Sequence, residues 1–142
     1  MTKVTGEEGS EKSQAATAYA SPTVLAIDDS PGFLSLVSAV LAPAYTVLTA
    51  ADPLDGYALL CQRLPDLVIL DVMMPFVDGW TLLRKIRSNP VVARVPVIVA
   101  TGLEPEAATH EATRVGVVHL LFKPVSPARL LAAVETALRE GR

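Results

Sequence analysis

Five short apolar runs alternate with amphipathic segments along this chain, and that alternation leaves few folds open to it. The runs cover residues 24–27, 45–49, 67–70, 97–100 and 117–122. Those at 24, 67 and 97 are almost continuously apolar, the pattern of parallel strands covered on both faces. Between the runs, apolar residues return at helical spacing. Phe33, Leu36, Val37, Val40 and Leu41 form one stripe, and Leu54, Tyr57, Ala58, Cys61 and Leu64 a second. Leu82, Leu83 and Ile86 form a third, and Leu130, Leu131, Val134 and Leu138 the last. Segment 104–115 carries the weakest stripe, because its inward face is mostly alanine. Ser30-Pro31, Asp52-Pro53 and Ser126-Pro127 each set a capping side chain before a proline suited to the first helical position. Asp78-Gly79 opens the third helix in the same sense.

Five β–α units in alternation predict a parallel sheet with helices on both faces. The 142 residues suit one domain, and a composition 51% hydrophobic against 19% charged supports a full core. Aromatic residues are only 5%, so Val, Leu, Ile and Ala must fill that core. Residues 1–22, rich in Ser, Thr, Glu, Ala and Gly and without periodicity, read as a flexible tail before a folded unit over 23–142. A net charge of −3 gives no basic footprint for nucleic acid and no attraction to an anionic membrane. No apolar run approaches the ~20 residues that span a bilayer, and no signal-peptide core is present, so a cytoplasmic location is the expectation. The single cysteine, Cys61, excludes an internal disulfide and a zinc-type cluster and reads as a small buried hydrophobe.

Ligands of doubly wound sheets bind outside the carboxyl ends of the strands. Asp28-Asp29, Asp71, Thr101 and Lys123 each stand at the end of an apolar run, so the topology gathers them at that edge. Taken singly, each has a bland reading: Asp28, Asp29 and Thr101 as helix caps, Asp71 as a turn residue, Lys123 as a solvated loop lysine. Together, three carboxylates repel one another and raise at least one pKa unless a cation enters. Hard oxygen ligands in this number suit Mg2+. Lys123 adds a point charge for a phosphoryl oxygen, and Thr101 a hydroxyl donor beside the room left by Gly102. Such a set describes phosphoryl transfer onto an aspartate.

These stretches, Leu25-Ala26-Ile27-Asp28-Asp29-Ser30, Leu70-Asp71-Val72-Met73-Met74-Pro75-Phe76-Val77-Asp78-Gly79, Ala100-Thr101-Gly102 and Phe122-Lys123-Pro124, resemble those of the response regulator receiver family, the CheY-like domains. The resemblance implies a flavodoxin-like, doubly wound, five-stranded sheet of order 2-1-3-4-5. It implies that Asp71 accepts phosphate from a sensor histidine kinase or histidine phosphotransfer protein. Asp28 and Asp29 would hold Mg2+ with Asp71 and the backbone carbonyl of Met73. Thr101 would move toward the acyl phosphate, Lys123 would pair with it, and the Lys123-Pro124 peptide would be cis.

The chain departs from the family at Leu120, where many members carry an aromatic ring. Met73 and Leu103, two residues beyond Asp71 and Thr101, are apolar and cannot orient an attacking water, so a long-lived acyl phosphate is expected. The expectation is a stand-alone receiver without an output domain after Arg142, monomeric or dimerising on phosphorylation, whose output is contact with a downstream protein. The rival readings are a receiver-shaped scaffold that is never phosphorylated and a phosphohydrolase with an Asp nucleophile. Met73 argues against the latter, since it stands where such enzymes carry a second Asp. His110 and His119 show no partner spacing and read as non-catalytic, and Trp80 reads as packing.

Overall fold

The computed structural model describes residues 21–75, 77–117 and 119–141. The expected tail over 1–22 therefore lies outside the described residues, apart from Ser21 and Pro22. Among the described residues no helix is long and apolar enough to cross a membrane.

Five strands, β1 (Thr23–Ile27), β2 (Thr46–Ala50), β3 (Leu67–Leu70), β4 (Val97–Thr101) and β5 (His119–Phe122), form one parallel sheet in the order β2-β1-β3-β4-β5. They alternate with α1 (Pro31–Leu41), α2 (Pro53–Arg63), α3 (Gly79–Ser88), α4 (Pro105–Val115) and α5 (Pro127–Glu140). The three central strands are buried along almost their whole length, while the edge strands β2 and β5 are only partly covered. The burial thus follows the predicted contrast between continuous and interrupted runs.

The sheet divides the core in two. On one face Val24, Ala26, Ile69, Ile98 and Ala100 meet Phe33, Val37 and Leu41 of α1 and Leu130, Val134 and Leu138 of α5. On the other, Leu25, Ile27, Val68, Leu70 and Val99 meet Leu60 of α2, Trp80, Leu83 and Ile86 of α3 and Ala112 of α4. Trp80 is thus a core residue, as its sequence context implied.

The proline-led helix starts form as predicted. Ser30, Asp52 and Ser126 each accept a backbone N–H from within the first turn, of Phe33, Asp55 and Arg129 respectively. Asp78 caps α3 through the Trp80 N–H. Helix α4 is the exception, because Glu104 at its start makes no side-chain cap bond.

One helical stripe is corrected. The expected inward face of α2 was Leu54, Tyr57, Ala58, Cys61 and Leu64, but Leu54 and Leu64 are 76% and 57% exposed. The buried face is instead Pro53, Gly56 and Leu60. Gly56 lets the helix axis come down onto Ile27 of β1, and that close approach sets the rotation. Leu64 has left the helix, with φ of 48°. Cys61 is correspondingly only half-buried, its Sγ 3.8 Å from Asn89 Nδ2, rather than a core hydrophobe.

A methyl group added at Gly56 meets three side-chain atoms of Ile27 at 2.7–2.8 Å. Alanine is the better helix former by up to ~1 kcal/mol, but overpacking a buried site costs about 1–3 kcal/mol. Gly56→Ala is therefore expected to lower the urea midpoint, and Ile27→Val in the same chain to recover part of the loss. An unchanged midpoint in the single variant contradicts this packing.

Candidate functional site

The site is built by strand register at the point where the chain order of the sheet reverses. Ile27 pairs with Leu70, and the Asp71 N–H donates to the Ile27 carbonyl at 3.0 Å. The next residues, Asp28 and Asp71, therefore leave neighbouring strands side by side. Across β4, Thr101 pairs with Phe122, and the Lys123 N–H donates to the Thr101 carbonyl at 2.9 Å. The sheet thus brings the predicted residues to one edge, as its topology requires.

Both carboxylates are almost fully buried, Asp28 at 1% and Asp71 at 5% exposure. A lone buried carboxylate is costly, and each of these is heavily bonded. Lys123 Nζ donates to Asp28 Oδ2 at 2.7 Å and to Asp71 Oδ2 at 3.3 Å. The free oxygens take backbone donors: the Ser30 N–H reaches Asp28 Oδ1 and the Met73 N–H reaches Asp71 Oδ1, both at 2.9 Å. Asp28 is thus no helix cap, since Ser30 fills that position. Asp71 does close a turn, but it shares Lys123 while doing so.

Asp29 is exposed, and it completes a group of three carboxylates whose ligand oxygens lie within 4.8 Å of one another. Three carboxylates against one ammonium leave two negative charges unbalanced, which fits a divalent cation held by hard oxygens. Thr101 is fully buried, and its Oγ1 accepts the Leu103 N–H at 3.2 Å. It is not the cap of α4, which starts four residues later. Met73 exposes its side chain, and its amide rather than its carbonyl is the group fixed on Asp71. The Lys123-Pro124 peptide is cis, as the resemblance implies.

Sequence reasoning missed two parts of this arrangement. The Ser30 amide ties the α1 cap to Asp28, and the Phe33 ring lies 4.5 Å from Lys123 Nζ. Nothing in the linear pattern marks Phe33, because it also satisfies the helical stripe. His119, read as non-catalytic, has its Nε2 3.1 Å from Glu140 Oε1, far from the acidic group at the opposite end of β5.

Burial is the main influence on Asp28 and pushes its carboxyl above the ordinary aspartate value. The Lys123 hydrogen bond, the Ser30 amide and the Lys123 charge pull it back, and the Asp71 carboxylate adds the smallest upward push. Desolvation, more than the repulsion expected from the sequence, is thus the cause. For Lys123, burial works against the ammonium, but the bonds and charges of Asp28 and Asp71 outweigh it and hold the group above the ordinary lysine value.

Residues 24–135 match the response regulator receiver domain. The chain belongs to that family. Over 120 residues it is 34% identical to the response regulator PleD of Caulobacter vibrioides, covering 84% of this chain and 26% of PleD. Over 119 residues it is 38% identical to the DNA-binding dual master transcriptional regulator RpaA of Synechocystis, covering 83% of this chain and 49% of RpaA. The chain thus spans about a quarter and about half of these relatives. The chemotaxis protein CheY4 of Vibrio cholerae superposes with a TM-score of 0.78 at 31% identity, covering 83% of this receiver and 99% of CheY4.

The raised Asp28 carboxyl fixes the sign of a pH effect. A carboxyl raised above its unfolded value of 3.8 binds protons better in the folded state, so its ionisation costs stability as pH rises past that value. Asp28→Asn is therefore expected to be more stable than the parent at neutral pH without divalent cations. The gain is expected to vanish in acid below 3.8, where the carboxyl is protonated folded and unfolded. Urea midpoints at the two extremes check this, and a loss of stability at neutral pH contradicts it.

Proposed function

We propose that this receiver accepts a phosphoryl group on Asp71 and switches a protein-binding surface in response. The observation that carries the reading is Lys123 Nζ, held between two buried carboxylates of neighbouring strands at 2.7 and 3.3 Å. An ammonium fixed there stands ready to meet a phosphoryl oxygen arriving on Asp71.

Asp28, Asp29, Asp71 and the Met73 carbonyl would hold Mg2+. When bound, the ion supplies charge neutralisation between the carboxylates and the phosphoryl oxygens. In the reaction an Asp71 carboxylate oxygen attacks phosphorus, the phosphohistidine P–N bond breaks, and the imidazole leaves with the bonding pair. Lys123 pairs with one phosphoryl oxygen. The Thr101 hydroxyl turns from Leu103 to donate to another. The donor is a sensor histidine kinase or a histidine phosphotransfer protein, and the output is contact with a downstream protein through α4, β5 and α5. The domain over 23–142 works in the cytoplasm as a monomer or a phosphorylation-dependent dimer, without direct contact to nucleic acid or membrane. It is a phosphoacceptor with slow self-dephosphorylation and not an enzyme with turnover.

Intact-mass measurement after incubation with Mg2+ and acetyl phosphate tests this. A stable phosphoryl adduct is expected, abolished in Asp71→Asn and not formed when the metal is chelated beforehand. No adduct supports an unphosphorylated scaffold, and rapid release of inorganic phosphate supports a phosphohydrolase.

Met73, 55% exposed beside Asp71, has an apolar side chain that cannot orient a water. Met73→Asn is expected to shorten the lifetime of the adduct severalfold at saturating Mg2+. Equal decay rates in parent and variant rule out this explanation of persistence.

A further inference from the structure

Lys123 has a third partner that neither the acidic group nor the strand pattern explains. Its ammonium carries three N–H donors, and two are directed at Asp28 and Asp71. The Phe33 ring closes a further side, its centroid 4.5 Å from Nζ. That distance is within the range of a cation–π contact, which strengthens as the cation is desolvated. The lysine side chain is 22% exposed and Phe33 is buried.

The backbone that carries the ring is tied to the site. Its backbone N–H donates to Ser30 Oγ at 3.2 Å, and the Ser30 N–H donates to Asp28 Oδ1. One hydrogen-bonded segment therefore carries both the Asp28 carboxylate contact and the residue whose ring meets the same ammonium. Proline at the first position of α1 stiffens that segment further.

From this geometry we infer that Phe33 is a positioning residue that holds Lys123 beside Asp71 when Asp28 is given over to metal. The inference rests on the phosphoacceptor reading above. Asp28 is the shorter of the two carboxylate partners of Lys123, and it also belongs to the three-carboxylate cluster. A cation drawing on Asp28 competes directly for the electron pairs that anchor Nζ. The π-face competes with neither, since a neutral ring is a poor ligand for a hard divalent ion. Phe33 thus keeps the ammonium over the acceptor through the change of partners, where an aliphatic residue of similar size leaves it to swing toward solvent.

The test replaces Phe33 in the full chain with mono-, di- and trifluorophenylalanine, which preserve its shape while weakening the ring's negative face, and with leucine. Two quantities are read at saturating Mg2+. One is the NMR signal of the Lys123 side-chain ammonium. The other is the rate of adduct formation with acetyl phosphate. Stepwise movement of the signal is expected along the fluorine series, with a total fall in rate of about threefold to tenfold. Phe33→Leu is expected at the end of that range, and the thermal midpoint is expected to stay level across the fluorinated set. A rate independent of fluorination, or a Lys123 signal that does not move, overturns the inference. If the parent chain gains no phosphoryl group at all, the phosphoacceptor reading fails on its own, and the Lys123 signal alone decides the ring contact.

Discussion

Two carboxylates taken almost completely out of water at the ends of adjacent strands are tolerable only if their charge is answered locally, and here one lysine answers both. Asp28 and Asp71 follow β1 and β3, which pair from Val24 with Leu67 to Ile27 with Leu70. Lys123 arrives from the far side of the sheet, its backbone tied to Thr101 at the end of β4. For its ammonium to reach both acids, all four strands must end level. The register of the sheet, the burial of its centre and the placement of three loops are therefore parts of a single constraint. A slip of one residue in any pair would turn one charge into the core and leave another unpaired, which is far costlier than a lost surface contact.

The chain trace serves that constraint through small local devices. The backbone at Gly79 lies so near Val72 and the Asp71 carbonyl that a side chain there would strike the segment carrying Asp71. The Gly79 N–H also donates to the Val72 carbonyl at 3.2 Å, closing the loop before α3 begins. Met73–Met74 and Val77–Asp78 pair antiparallel within it. Asp71 is thus held from two directions, by its own strand and by the start of the following helix.

Features written in one residue type at one position were legible in the sequence. Ser30, Asp52, Asp78 and Ser126 announce helix starts by their chemistry alone, and Asp28, Asp71, Thr101 and Lys123 announce an edge because each ends an apolar run. The face of α2 was illegible for the opposite reason. Periodicity counts large apolar side chains, whereas this helix is oriented by the absence of one at Gly56, and Leu54 and Leu64 then fall outward. Phe33 shows a second limit. A residue that satisfies the helical stripe and also touches the site gives only one signal, and the stripe accounts for it. The cause of the raised Asp28 carboxyl was hidden too, since like charges can be counted in a sequence while desolvation depends on the depth the fold imposes.

The departure at Leu120 becomes physical once its neighbours are known. Leu120 is partly buried and packs, with Leu103 and Val115, onto the core face served by α2, α3 and α4. A leucine has no hydroxyl to exchange partners, so a change of state at Asp71 needs another path out of the site. Thr101 offers one on the proposed reading. Its Oγ1 accepts the Leu103 N–H. Turning that oxygen toward a phosphoryl group takes a partner from the Leu103 amide at the entrance to α4. That helix lacks a side-chain cap at Glu104, and the residues it buries are Ala108 and Ala112. Small side chains bury little area, so shifting this helix forfeits less than shifting any neighbour packed through leucine or isoleucine. On the proposed reading the weak alanine seam and the missing aromatic thus belong together: where no ring can report the state of Asp71, a lightly anchored helix tied to Thr101 through one amide would do so.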